Sequence, residues 1–145
     1  MKRIAFLLVL AACRTVAVKD ATATGAATPT AAVERFVAAA RTQDIQALGA
    51  VWGDEKGAMR DRTDRKQMEE RSIIMLACLR HDNAVLSAPT MGIEGHQLIT
   101  VAFTQGSLTG SSQFTVARGP SDRWYVLSFD IVAMQNKGFC SRPGG

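Results

Sequence analysis

These 145 residues hold no glycine-rich phosphate loop, no paired metal-ligand motif and no Gly-x-Ser-x-Gly turn. The common sequence routes to nucleotide binding, metal chemistry and serine hydrolysis are therefore missing, and no cofactor or metal is expected. Histidine is scarce, with two residues, His81 and His96. His81 falls at a predicted helix end beside Asp82, and His96 follows Gly95 at a turn. At such places a capping or solvent-facing role is the ordinary reading. A strong charge of one sign is also lacking. The formal charge of +4 falls to +2 once Lys2 and Arg3 are set aside, which excludes the basic footprint of a nucleic-acid binder. The one dense charge run, residues 54 to 71, balances six basic against six acidic side chains and reads as a solvated loop and helix surface. No run spans a bilayer either. The apolar stretch Ile4 to Leu10 covers about 10 Å as a helix at about 1.5 Å per residue, against a hydrocarbon core of about 30 Å.

That stretch has another use. Lys2 and Arg3 precede it and Ala11-Ala12-Cys13 follow it, the order of a secretory signal: basic start, short apolar run, small residues at the cut. Leu10-Ala11-Ala12-Cys13 resembles the lipobox of bacterial lipoproteins. The resemblance implies a Cys13 thiol joined to diacylglycerol, cleavage before Cys13 and a palmitate-type acyl chain on the new amino terminus. Two or more chains hold a protein stably where one does not, at about 0.8 kcal/mol per buried CH2. The implied location is the bacterial cell envelope, with the protein lipid-anchored at an extracytoplasmic face and the membrane as its first partner. Cutting after Thr15-Val16-Ala17 by the general signal peptidase is the alternative. With Cys13 lipidated, Cys78 and Cys140 remain as a pair in a compartment that permits disulfides. A buried, inert Cys78 and an unrelated Cys140 are the other possibility.

The chain divides as signal 1–12, lipidated cysteine and spacer 13–27, one domain 28–135 and tail 136–145. The Ala/Thr/Val-rich spacer cannot build a core. A hydrophobic fraction of 47% and a charged fraction of 21% suit a single globular domain. Thr28-Pro29 predicts a helix start, with Val33, Phe36, Val37 and Ala40 on one face. A second helix is expected from Asp44, carrying Ile45, Leu48 and Trp52 inward and ending at Gly53. A third is capped by Thr63 or Asp64, with Met68, Met75, Leu76 and Leu79 along one side, and residues 73 to 79 buried on most sides. From Ala84 the period becomes alternating and predicts strands at 84–90, 97–104, 112–118 and 123–131. In the last, Tyr125, Leu127, Phe129 and Ile131 share one face, and Trp124, Val126, Ser128 and Asp130 the other. The fold class expected is α+β: three N-terminal helices packed on a curved, antiparallel four-stranded sheet.

The opening helix 28–36, the segment Thr42-Gln43-Asp44-Ile45-Gln46-Ala47-Leu48 and the strand Asp122-Arg123-Trp124-Tyr125-Val126-Leu127 together resemble the nuclear-transport-factor-2-like superfamily, also called cystatin-like or polyketide-cyclase-like. The resemblance implies a sheet wrapped round a long helix with a cone-shaped pocket. Members of this superfamily bind or transform small apolar molecules there, or mediate association. Enzymes among them carry an Asp–His or Tyr–Asp pair in the pocket, whereas Tyr125 and Asp130 here have opposite strand parity. Three readings follow. The first is a non-enzymatic envelope lipoprotein that binds a small apolar ligand, an envelope protein or a second copy, through the cone or a sheet face carrying Trp124 and Val126. The second is an isomerase, dehydratase or cyclase using His81 or His96 with Asp82 or Asp130. The third is a structural spacer or a chaperone for other lipoproteins. The side chains expected at a pocket or sheet face are Trp52, His81, His96, Trp124, Tyr125 and Asp130.

Overall fold

The protein is described by a computed structural model over residues 23–141. Cys13 and the leader lie outside the described residues. Within them the chain runs α1 (Pro29–Thr42), α2 (Ile45–Val51), a two-stranded ribbon β1 (Gly53–Asp54) and β2 (Gly57–Ala58), then α3 (Arg65–Cys78). It continues as β3 (Asn83–Leu86), β4 (Thr90–Met91), β5 (Gln97–Gln105), β6 (Leu108–Arg118), β7 (Trp124–Phe129) and α4 (Ile131–Asn136). The architecture is α+β, with an open five-stranded antiparallel sheet ordered β3-β5-β6-β7 and β4 paired to the far end of β5. No described helix is long and apolar enough to cross a membrane.

Local chemistry sets the helix boundaries. Thr28 Oγ1 accepts from Ala31 N at 3.1 Å, Asp44 Oδ1 from Ala47 N at 3.0 Å, and Asp64 Oδ2 from Lys66 N at 3.1 Å. Each such cap stabilises its helix by about 1 kcal/mol. Gln43 ends α1 in the left-handed region at φ 55°, and its Nε2 donates to the Leu76 carbonyl at 3.0 Å. One residue thus stops α1 and ties it to the end of α3. The α1 face Val33, Phe36, Val37 and Ala40 is buried, as are Leu48 and Trp52 of the second helix region.

Four features depart from the sequence-based expectation. First, the helix count is four and the sheet has five strands. The expected strand 84–90 breaks at Ala88-Pro89, because Pro89 has no N–H to give a ladder. The chain then re-pairs as β4, with Thr90 opposite Leu98. The expected strand 123–131 ends at Phe129, because Asp130 turns the chain into α4 by capping Ala133 N at 3.0 Å. Second, the segment 54–58 is a ribbon rather than a loop. Gly53 is obligatory there, since a Cβ would lie 2.3 Å from the Gly57 carbonyl oxygen. Third, α3 is buried on one face only: Met68, Ser72 and Leu76 point inward while Ile73 and Ile74 are 57% and 58% exposed. Fourth, the domain includes residues placed in the spacer and tail. Ala26 pairs with Trp124 in both directions at 2.8 Å, and Phe139 is fully buried.

The parity of β7 is corrected as well. Val116 pairs with Val126 and Thr115 with Ser128, which leaves Leu127 unpaired as a bulge. An extra residue shifts the alternation by one, so Val126 and Phe129 both face the helices, while Tyr125 points away.

Candidate functional site

The space between sheet and helices is where a cone pocket would lie. All five phenylalanines of the described residues meet there. Phe114 stacks on Phe129 at 5.5 Å and meets Phe36 edge-on at 5.8 Å, and Phe103 bridges to Phe114 and Phe139 at 6.3 and 6.5 Å. Met134 of α4 and Phe139 are inaccessible, so this last stretch of described chain packs into the core. Cys78 and Cys140 are disulfide-bonded, which fixes that stretch to α3. The space between sheet and helices is thus occupied by buried, mutually contacting side chains, the arrangement of an ordinary packed core.

The residues singled out from the sequence do not converge. Trp52 is buried, and its backbone bridges Val126 in parallel. Val126 is in the core and Trp124 packs against it, with the Arg118 guanidinium 6.0 Å over the indole. Val126 is therefore unavailable at an exposed patch, which corrects that part of the expectation, while Trp124 is partly buried. The Tyr125 ring lies among glycines. A Cβ at Gly25, Gly53 or Gly119 would come within 2.8–2.9 Å of it, and its hydroxyl meets Thr24 Oγ1 at 2.9 Å. A tyrosine so enclosed and satisfied is a structural anchor for residues 24–26 and the ribbon. Asp130 serves as the α4 cap.

The two histidines separate. His81 Nδ1 donates to the Leu79 carbonyl at 2.7 Å and its ring meets Phe103 edge-on at 5.1 Å. Its neighbour Asp82 instead accepts from Gly106 N at 2.7 Å, so His81 and Asp82 form no pair. His96 is buried and its Nε2 donates to the Glu55 carboxylate, joining the ribbon turn to the β4–β5 turn. Glu55 was absent from the sequence-based candidates; the Gly53-Asp54-Glu55-Lys56-Gly57 stretch signals a turn, but no local pattern links it to a residue 41 positions on. The His96 hydrogen bond holds the Glu55 carboxyl below its ordinary value of 4.5. A depressed carboxyl adds stability above its unfolded value and loses it as pH falls through the folded one. We therefore expect a 13C-detected titration of Glu55 to move to lower pH, and His96→Gln to return it toward 4.5.

A surface remains that the sequence reading did not define. The sheet face away from the helices carries Val85, Ala102 and Ser111 in one cross-strand row, Thr100 and Gln113 in the next, and Thr115 with Ser128 beyond. Most are exposed and none is charged. Charge depletion is the compositional mark of an interface centre. Among the described residues no three His, Cys, Asp or Glu side chains gather as a metal site. Comparison with protein-family models, curated proteins and solved structures yields no match to this chain.

Proposed function

We propose that this chain is a lipid-anchored protein of the bacterial envelope whose domain is an association module rather than an enzyme. Its uncharged outer sheet face would receive a protein partner, in the first instance a second copy. The observation that carries this reading is the pairing of a filled interior with an exposed, charge-free sheet face. Nuclear-transport-factor-2-like membership is part of the proposal. It is supported by the order of two helices, ribbon, long helix and antiparallel strands, with α1 laid across the sheet. Support for the anchor is the sequence order Lys2-Arg3, apolar run, Leu10-Ala11-Ala12-Cys13. Palmitate incorporation that vanishes in Cys13→Ala tests it; label retained in that variant would refute it.

The association is tested by sedimentation of the unacylated Cys13→Ala chain. We expect a monomer–dimer equilibrium in the micromolar range, about −8 kcal/mol. Adding Ala102→Lys and Gln113→Lys should shift it to monomer, because like charges would face each other across a two-fold axis. A monomer at every concentration would remove the second-copy reading.

A second reading rests on the His96–Glu55 contact, the one histidine–carboxylate pair among the described residues. Isomerase, dehydratase or cyclase chemistry needs an imidazole oriented in this way. It is the weaker reading, because the pair joins two turns outside the packed interior. Solvent-exposed, freely titrating rings for both histidines would end it.

A further inference from the structure

The sheet keeps one open edge. Its β7 side is covered, since Trp124 bridges to Ala26 and Val126 to Trp52, whereas β3 pairs with β5 alone. Ser87 N donates to the Thr100 carbonyl at 2.8 Å, which fixes the phase of that pairing: Val85 and Asn83 turn their backbone groups toward β5. The direction alternates along a strand, so the N–H and C=O of Ala84 and Leu86 face outward. Among the described residues none of these outward groups meets a backbone partner. Charged side chains and prolines usually protect such an edge, and Asn83–Leu86 contains neither.

The edge also forms one wall of a groove. About 530 Å3 of open space lies between β3 and α1, with Val37 and Ala38 on the helix side and Ala84 and Leu86 on the strand side. Glu34 and Arg41 of α1 line it as well. Both are exposed, and neither forms an ion pair among the described residues. They stand two helical turns apart, about 10 Å, a length that three to four strand residues cover at about 3.3 Å each. Arg80 Nε donates to Gln43 Oε1 at 3.3 Å, so α1 ends where β3 begins. Arg41 therefore stands at the Asn83 end of the groove and Glu34 toward Leu86. Asp82 is engaged elsewhere, accepting from Gly106 N at 2.7 Å in the β5–β6 turn.

We propose that this groove takes an extended peptide segment of a partner protein as an added strand antiparallel to β3, with a basic side chain at Glu34 and, about four residues later, an acidic one at Arg41. Strand addition to a free edge draws affinity from main-chain hydrogen bonds and specificity from alternate side chains. Antiparallel pairing is the more stable kind. A strand added that way runs from Leu86 toward Asn83 and meets Glu34 before Arg41. Its alternate side chains face α1, so the order read is basic, apolar against Ala38 and Leu86, then acidic. The site lies at the sheet edge, apart from the outer face, and depends neither on self-association nor on the anchor.

The test is an amide-resonance titration of the 15N-labelled Cys13→Ala chain with the end-capped peptide Lys-Thr-Val-Thr-Glu, beside Glu-Thr-Val-Thr-Lys of equal composition. Saturable shifts at the Ala84 and Leu86 amides are expected with the first. The second should bind about tenfold more weakly, since two exposed ion pairs become two like-charge contacts. Glu34→Lys combined with Arg41→Glu should invert the preference. Ala84→Pro removes an outward N–H that the sheet does not use, a substitution that edge strands tolerate, and should abolish the Leu86 shift with either peptide. Four results would overturn the proposal. They are equal affinity for the two peptides, a preference unmoved by the charge swap, no saturable shift at Ala84 and Leu86, or shifts there that grow with protein concentration before peptide is added, which would mean that β3 pairs with a second copy.

Discussion

Reducing the Cys78–Cys140 bond is expected to lower the unfolding free energy by about 4 kcal/mol, with the melting temperature falling about 10–15 °C. The bond closes a loop between positions 62 apart, and in the chain-entropy model a loop of that length restricts the unfolded chain by about this amount. The local consequence is larger than the number suggests. Helix α4 has six residues, too few to hold itself in water, and it carries Met134 and leads to Phe139, both buried in the core. Without the covalent tie, that stretch depends on burial alone. Thermal unfolding with and without a phosphine reductant measures the effect, and Cys140→Ala should reproduce it. Thiol titration of the unfolded chain should reveal two additional thiols on reduction. An unchanged melting temperature after complete reduction would mean that packing alone retains the tail.

Truncating Phe114 is the second large expected loss, about 4 kcal/mol for Phe114→Ala. Its ring lies at the centre of the aromatic cluster, within 5.5–6.3 Å of Phe129, Phe36 and Phe103, and it is fully buried. The deletion removes both the transfer energy of the ring and the contacts of its neighbours, which rotamer shifts would recover only in part. Phe114→Leu should cost much less, about 1 kcal/mol, because most of the volume stays. Denaturant midpoints for the two variants give the comparison. This result also bears on function. A loss under about 1 kcal/mol for Phe114→Ala would mean that the interior has slack to collapse, and a pocket there would again be plausible. A full loss keeps the interior as packing and leaves binding to the surfaces.

How far the chain could be read in advance follows from the range of each interaction. Thr28, Asp44 and Asp64 act on backbone N–H groups two or three residues away, so their helix starts are visible in a short window. The apolar spacing of α1 and the alternation in β5 likewise report which faces are buried, since each element needs one apolar face whatever covers it. These residues determined by themselves an α+β domain of helices followed by strands.

Other features depended on partners far along the chain. The bulge at Leu127 arises from pairing with β6, and it reversed the roles of Val126 and Tyr125. Ile73 and Ile74 look like core residues, but α3 has packed neighbours on one side only. Nothing near Glu55 points to His96. Propensity and capping are local energies written in consecutive residues. Strand register, the filling of the interior and the meeting of polar groups across it are decided only when distant segments compete for the same space.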